Sequence, residues 1–471
     1  MDLPPAYIDY RAASPAGGTH WIMTAICWFV ILGVVAVMVP LNALGTQSHL
    51  ARTTMATSAT PNLSMEILGR TILFQTAHVP ATTQPGKTAA DKSRQQMLDN
   101  VRRAVVSPAD QLDLVILTRE SAGLDAANEA MRTAISKLPA DGNLRADAGI
   151  LNALYSKSSG TVPALDRAKL QKDLGWFGQL AVSQDRPENS PERQAIIASA
   201  NRGAVVLIGG TVLVLLAFVA GIALLIALIV LFCIGTLKWK YLPVLAPISG
   251  APVFLECFAL WLVCYIGMSK GLSLLNVTSM LPHELVFVGV TFLVALWPLA
   301  RGVTWPQLRE ALGWNRGRGI FIEIGFGACA YIAGLPLIGI AIYVSSLLMK
   351  LTHTPSTHPI VEEFTAGMSV GQIMILFVSA AICAPLLEET IFRGALYSHL
   401  RRRWRPWISA IVVSLIFAAI HPQGWTAIPV LGTIALVLAA LREWRGSLVA
   451  SMTAHAINNG ALVLFMGLAL R

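Results

Sequence analysis

The sequence predicts an all-α fold: a polytopic membrane helical bundle of about nine transmembrane helices with an inserted helical extracytoplasmic module. Three observations predict it. First, 13% of the 471 residues are charged and 55% are hydrophobic, against about 25% charged in a soluble domain, and mean hydropathy is +0.62. Second, apolar runs of 18 or more residues recur along the chain, and about 20 helical residues span the hydrocarbon core. Third, one long polar stretch with helical periodicity interrupts those runs.

The apolar runs lie at roughly 20–44, 204–236, 252–276, 283–300, 319–349, 370–400, 407–421, 426–441 and 447–470. The first lacks the basic flank of a secretory signal and exceeds the length of a signal core. It reads as a retained anchor, with cleavage near Ala43 as the alternative. Residues 1–44 form a tail and anchor, 45–203 a separate helical module, and 204–470 the membrane domain.

Short loops set the orientation. One alternating set carries Lys238 and Lys240, Arg309 and Arg316, Arg401 to Arg403 with Arg405, and Arg442 and Arg445. The opposite set carries Lys350 at a boundary, and Lys270 is a minor dissent. Basic loops stay in the cytoplasm, so the N-terminus is expected there, residues 45–203 outside, and the chain in a plasma (inner) membrane.

Within the module, 46–63 is rich in Ser, Thr and Ala and reads as a linker. Helical periods fall at about 89–104, 108–118, 122–137, 144–157 and 164–182, separated by Pro139 with Gly142 and by Gly160 with Pro163. No catalytic constellation lies here. The reading is an interaction or substrate-presenting module, with a protein partner as one expectation.

The net charge of +9 does not indicate nucleic acid, because the basic residues cluster at the ends of apolar runs rather than in a stripe with aromatics. All six cysteines lie in or beside apolar runs without metal-binding spacing, which excludes a disulfide-stapled module.

Ionisable groups inside membrane segments are costly and mark function. Glu256 and Glu323 stand singly and read as packing or boundary residues. The last third instead gathers Glu388, Glu389, Arg393, His421, His455 and Asn459. Measured from the Arg-rich ends, Glu388 lies about 18 Å deep, His421 about 21 Å, His455 about 12 Å and Asn459 about 18 Å, so the four share a layer. His455 and Asn459 share a helix face, as do Phe417 and His421, which sets an aromatic wall beside the imidazole. Glu389 and Arg393 share a face in the favourable order, which frees Glu388, about 100° round the helix, to face a cavity. His399, beside the arginine loop, reads as a solvated flank.

These residue types suit peptide hydrolysis. A desolvated Glu388 is a general base. His421 can hold water or relay its proton. His455 and the Asn459 amide can donate to an oxyanion.

Glu388-Glu389-Thr390-Ile391-Phe392-Arg393 is an EExxxR motif, Phe417 to His421 is FxxxH, and His455 to Asn459 is HxxxN. In this order they resemble the three motifs of the CAAX protease and bacteriocin-processing (CPBP) family, which includes the type II CAAX prenyl endopeptidases. The resemblance covers about 250–470 and leaves out 45–203. It implies an α-helical intramembrane peptidase in which Glu388 and His421 activate water, His455 and Asn459 form the oxyanion site, and Glu389 and Arg393 support it. The implied substrate is a membrane-associated peptide or a prenylated protein, met among membrane lipids. The family has been described both as metalloprotease and as metal-independent glutamate peptidase. Glu388, His421 and His455 could hold zinc, but the histidines lack the HExxH spacing, so the expectation is no cofactor, with zinc as the alternative. A non-catalytic immunity, transport-associated or scaffold protein on the same fold is the competing reading.

Overall fold

The computed structural model describes residues 20–55, 63–78, 89–105, 107–139, 142–156, 162–236, 252–275, 280–352, 354, 364 and 368–469. Among them there is no strand. Helix α1 is His20–Met55. The polar stretch forms α2 (Leu63–His78), α3 (Ala89–Ala104), α4 (Pro108–Ala122), α5 (Leu124–Lys137), α6 (Asn143–Leu154), α7 (Ala164–Asp173) and α8 (Gly175–Ser183). Then come α9 (Pro191–Cys233), α10 (Val253–Leu274), α11 (Met280–Ala295), α12 (Trp297–Ala300), α13 (Trp305–Leu312) and α14 (Ile320–Thr352). The last third holds α15 (Val370–Val378), a π-helical stretch Ser379–Cys383, α16 (Ala384–Glu389), a second π-helical stretch Thr390–Leu396 and α17 (Tyr397–Arg401). It closes with α18 (Pro406–Ile420), a 3₁₀ turn Trp425–Ala427, α19 (Ile428–Arg445) and α20 (Val449–Ala469).

Seven of these helical segments are long and apolar enough to cross a membrane: His20–Asn42, Pro191–Cys233, Val253–Leu272, Ile320–Thr352, Val370–Arg401, Trp425–Arg445 and Val449–Ala469. Glu284–Ala300 and Pro406–Ile420 are shorter apolar helices. The nine apolar runs of the sequence are these seven plus these two. The chain is an all-α integral membrane protein.

The fold divides into two compact units: 1–44 with 216–356 and 374–461, and 45–215 with 357–373 and 462–471. In the second, α4 starts at a capping box in which Ser107 and Asp110 satisfy each other's backbone N–H groups, with Pro108 at the first position. Leu73, Val101, Leu112, Ile116, Met131, Leu151, Leu170 and Leu180 bury together. Here the sequence reading needs three corrections. The expected linker is helical through Met55, and 56–62 lie outside the described residues. Helix α2 carried no assigned element. The run 164–182 breaks into α7 and α8 because Gly175 takes φ +57°, a conformation cheap for glycine.

In the first unit, Phe254, Phe258 and Trp261 of α10 pack with Ile391, Phe392 and Tyr397, with Val413 and Phe417 of α18, and with Cys27 and Ile31 of α1. Trp28 stacks on Trp404 at 6.2 Å. The single carboxylates prove to be paired. Glu256 accepts from Arg301 at 2.9 Å. Glu323 accepts from Arg445 through both oxygens, at 2.7 and 2.8 Å. Glu443 takes both Arg401 and the Tyr397 hydroxyl, each at 2.8 Å.

Several basic residues read as loop charges are thus internal. Arg442 is fully buried, donating to the carbonyls of Ala311, Arg393 and Gly446. His399, expected in solvent, is 6% exposed. A guanidinium has five donors, so backbone carbonyls at helix ends can satisfy it without water. Lys238 and Lys240 lie outside the described residues.

Candidate active site

Glu388 and Glu389 end α16, a six-residue segment between the two π-helical stretches. Single-turn π bulges occur often at functional sites because they re-aim side chains. Gly394 lets the second stretch approach α13: a Cβ there would stand 3.0 Å from the Leu312 carbonyl.

The two neighbouring carboxylates do separate, as the 100° turn predicts. Glu389 is fully buried and its Oε1 accepts from Arg393 Nη1 at 2.9 Å. Arg393 also donates to the Ala435 carbonyl at 3.0 Å and lies over the Phe417 ring at 4.7 Å. The same Glu389 oxygen lies 3.1 Å from Nδ1 of His455. Glu388 turns the other way. Its Oε2 is buried without a hydrogen-bond partner among the described residues. It stands 3.8 Å from Nε2 of His421 and 3.8 Å from Nε2 of His455.

His421 owes its place to a proline. Helix α18 ends at Ile420 and His421 is extended (φ −74°, ψ 142°), because Pro422 bars the residue before it from the helical region. At 15 residues, α18 is about 22 Å long, shorter than the roughly 30 Å hydrocarbon core. His421 Nδ1 lies 2.6 Å from the Phe417 carbonyl, and the Phe417 ring lies tilted against His421 at 4.1 Å and edge-on to His455 at 6.1 Å.

These contacts fix both tautomers. A carbonyl only accepts, so His421 Nδ1 carries its proton. The Arg393-bound carboxylate of Glu389 also accepts, so His455 Nδ1 donates to it. In their neutral forms both rings therefore turn an Nε2 lone pair toward Glu388. Two nitrogen acceptors and one carboxylate oxygen converge on one spot. Such a group calls for a shared proton, a donating water or a cation.

Asn459 sits differently. Its Nδ2 donates to the Ala380 carbonyl at 3.0 Å, and its Oδ1 accepts from Asn458 at 3.0 Å. Tyr331 reaches Asn458 at 3.3 Å. The structure thus brings together Glu388, His421 and His455, and ties Asn459 to the π-helical stretch that leads into α16. Sequence reasoning missed Asn458 and Tyr331. The adjacent amides on an apolar helix were the available signal for the first.

A carboxylate with two imidazoles is a donor set that zinc accepts, and a carboxylate behind the far nitrogen of His455 is the usual second contact of such a ligand. The spacing is looser. Ligand atoms of tetrahedral zinc lie about 3.4 Å apart, against 3.8 Å from Glu388 to each histidine. No group of three or more His, Cys, Asp or Glu among the described residues is arranged to hold a metal ion.

Residues 369–461 match the family described as type II CAAX prenyl endopeptidase Rce1-like. That match agrees with the resemblance of this segment to the CPBP family. The Rce1-like segment contains Glu388, Glu389, Arg393, Phe417, His421, His455 and Asn459. A protein of Escherichia coli described as an uncharacterized 24.3 kDa protein is 25% identical over 158 residues, which cover 28% of this chain and 73% of that protein. No solved structure matches the chain.

Proposed function

We propose that this chain is an intramembrane endopeptidase that hydrolyses a peptide bond of a membrane-associated or lipid-modified substrate by a metal-free, glutamate-dependent route. The observation that carries the reading is the convergence of two tautomer-fixed Nε2 atoms on Glu388 Oε2, each at 3.8 Å. Water placed there donates to the carboxylate and to an imidazole. As its oxygen bonds to the scissile carbonyl carbon, Glu388 takes its proton, aided by His421. The C–N bond then breaks and the proton passes to the leaving amine. The second amide proton of Asn459, and Nε2 of His455 where that ring enters as the imidazolium and keeps its proton throughout, donate to the oxyanion. Glu389 and Arg393 hold His455 in register, and Phe417 walls the imidazoles. Should a metal be required, Glu388, His421 and His455 are the residues that would hold it, supplying Lewis-acid polarisation.

The arginine-rich loops support a cytoplasmic N-terminus, an extracytoplasmic 45–203 that recruits a substrate or protein partner, and a plasma (inner) membrane location. A prenylated CAAX protein and an unmodified peptide are both within the substrate class.

The test is cleavage of a quenched fluorescent peptide library, farnesylated CAAX peptides included, by the purified protein with and without chelator. Activity that survives chelation but is lost in Glu388→Ala and His421→Ala supports the proposal. Chelator-sensitive activity restored by zinc reverses the metal assignment. Wild-type protein that binds peptide and never cuts it moves a binding or immunity role to the front.

A further inference from the structure

Asn42 is the last residue of the 23-residue apolar span His20–Asn42. Its Nδ2 donates to the backbone carbonyl of His421 at 2.8 Å. That carbonyl belongs to the first residue beyond α18, where a helix leaves its carbonyls without intrahelical partners.

His421 is thereby held at two points. Its ring is tied back to Phe417, and its backbone is tied to α1. Helix α1 is a firm anchor, since Cys27 and Ile31 bury in the core that also contains Phe417 and Ile420. Asn42 lies far outside the Rce1-like segment 369–461. The contact therefore joins the N-terminal helix to a residue of the candidate site.

We infer that Asn42 is a positioning residue: its amide fixes the His421 backbone and so sets where His421 Nε2 stands relative to Glu388. The inference rests on the reading of Glu388 and His421 as the reacting pair. A displacement of about 1 Å at such a pair can cost about 100-fold in rate.

The test uses the full chain with Asn42→Ala, Asn42→Leu, Asn42→Gln and, as control, Leu41→Ala, whose side chain is exposed. Two readouts are taken: kcat and KM on a peptide the wild type cleaves, and the imidazole nitrogen resonances of ¹⁵N-histidine-labelled protein, with His421 assigned by His421→Gln. Asn42→Ala and Asn42→Leu are expected to lower kcat by about 10- to 100-fold, with KM within about twofold, and to shift the His421 resonances. Asn42→Gln recovers part of both, and Leu41→Ala moves neither. Wild-type kcat and unmoved His421 resonances in Asn42→Ala overturn the inference. If that variant does not survive purification, Asn42→Leu, close to it in volume, decides by the same criteria. If the wild type cuts no peptide, the functional reading fails. The resonances then decide the positional claim alone: a His421 shift in Asn42→Ala supports it and its absence overturns it.

Discussion

Oε1 of Glu389 is shared between Arg393 Nη1 at 2.9 Å and His455 Nδ1 at 3.1 Å. One carboxylate oxygen therefore does two jobs. It neutralises a fully buried guanidinium and orients an imidazole from another helix. Removing one partner of a buried ion pair leaves the other charge unpaired, at a cost of about 3–5 kcal/mol, a large share of a typical folding free energy.

The two jobs separate in a double variant. Glu389→Ala is expected to lower the melting temperature in detergent sharply and to abolish cleavage. Glu389→Met with Arg393→Met removes both charges, so stability returns toward wild type while cleavage stays low because His455 has lost its acceptor. Wild-type activity in the double variant would show that His455 needs no orienting carboxylate.

Glu388 is the opposite case. Its Oε2 has no hydrogen-bond partner among the described residues and stands 3.8 Å from each imidazole, so neutralising it strands no buried guanidinium. Glu388→Gln keeps the shape and loses the carboxylate that the proposed mechanism uses as its base. It is expected to reduce kcat by about 10²- to 10⁴-fold while the melting temperature holds or rises. A fall in melting temperature equal to that of Glu389→Ala would make Glu388 a structural residue.

The site was legible where side chains meet side chains. The spacing of Glu389 to Arg393 and of Phe417 to His421 states a shared helix face, and polar groups in apolar runs announce themselves. The contacts that escaped run mostly to backbone: Asn42 to the His421 carbonyl, Asn459 to that of Ala380, Arg393 to that of Ala435. A carbonyl carries no residue-type signal. The same blindness made Arg442 look like a loop charge, since its partners are three carbonyls. The nine apolar runs, by contrast, were legible because hydrocarbon demands length and composition together.

The polar unit has its own pH response. Burial, with Asp110 and Glu66 nearby, holds the Asp113 carboxyl well above its ordinary value of 3.8. Between that value and the raised one, the native state binds more protons than the unfolded state. Stability therefore falls as pH rises through that window and levels off above it. Asp147, also raised by burial, acts in the same direction. Asp113→Asn should lessen the slope and slow hydrogen exchange of α4 at neutral pH. Exchange in the full chain from pH 4 to 8 checks this, and an unchanged slope in Asp113→Asn would mean the carboxyl titrates normally.

Packing against α20 offers a last test, because that helix carries His455. Gly327 of α14 faces it so closely that an added Cβ would collide with the Ala450 carbonyl and stand 2.8 Å from Thr453 Cβ. Small residues at such crossings let backbones touch. Neither obstacle is the movable end of a side chain, so Gly327→Ala must push α14 and α20 apart, and Gly327→Val further. Thr453 is two residues from His455, so the displacement reaches the imidazole that Glu389 orients. Both variants should lower melting temperature and kcat together, in the order Val below Ala. Gly325, where a Cβ meets nothing within 4 Å, is the control, and Gly325→Ala should behave as wild type. If Gly327→Ala lowered melting temperature yet left kcat intact, His455 would be held by Glu389 alone, without help from the seating of its helix.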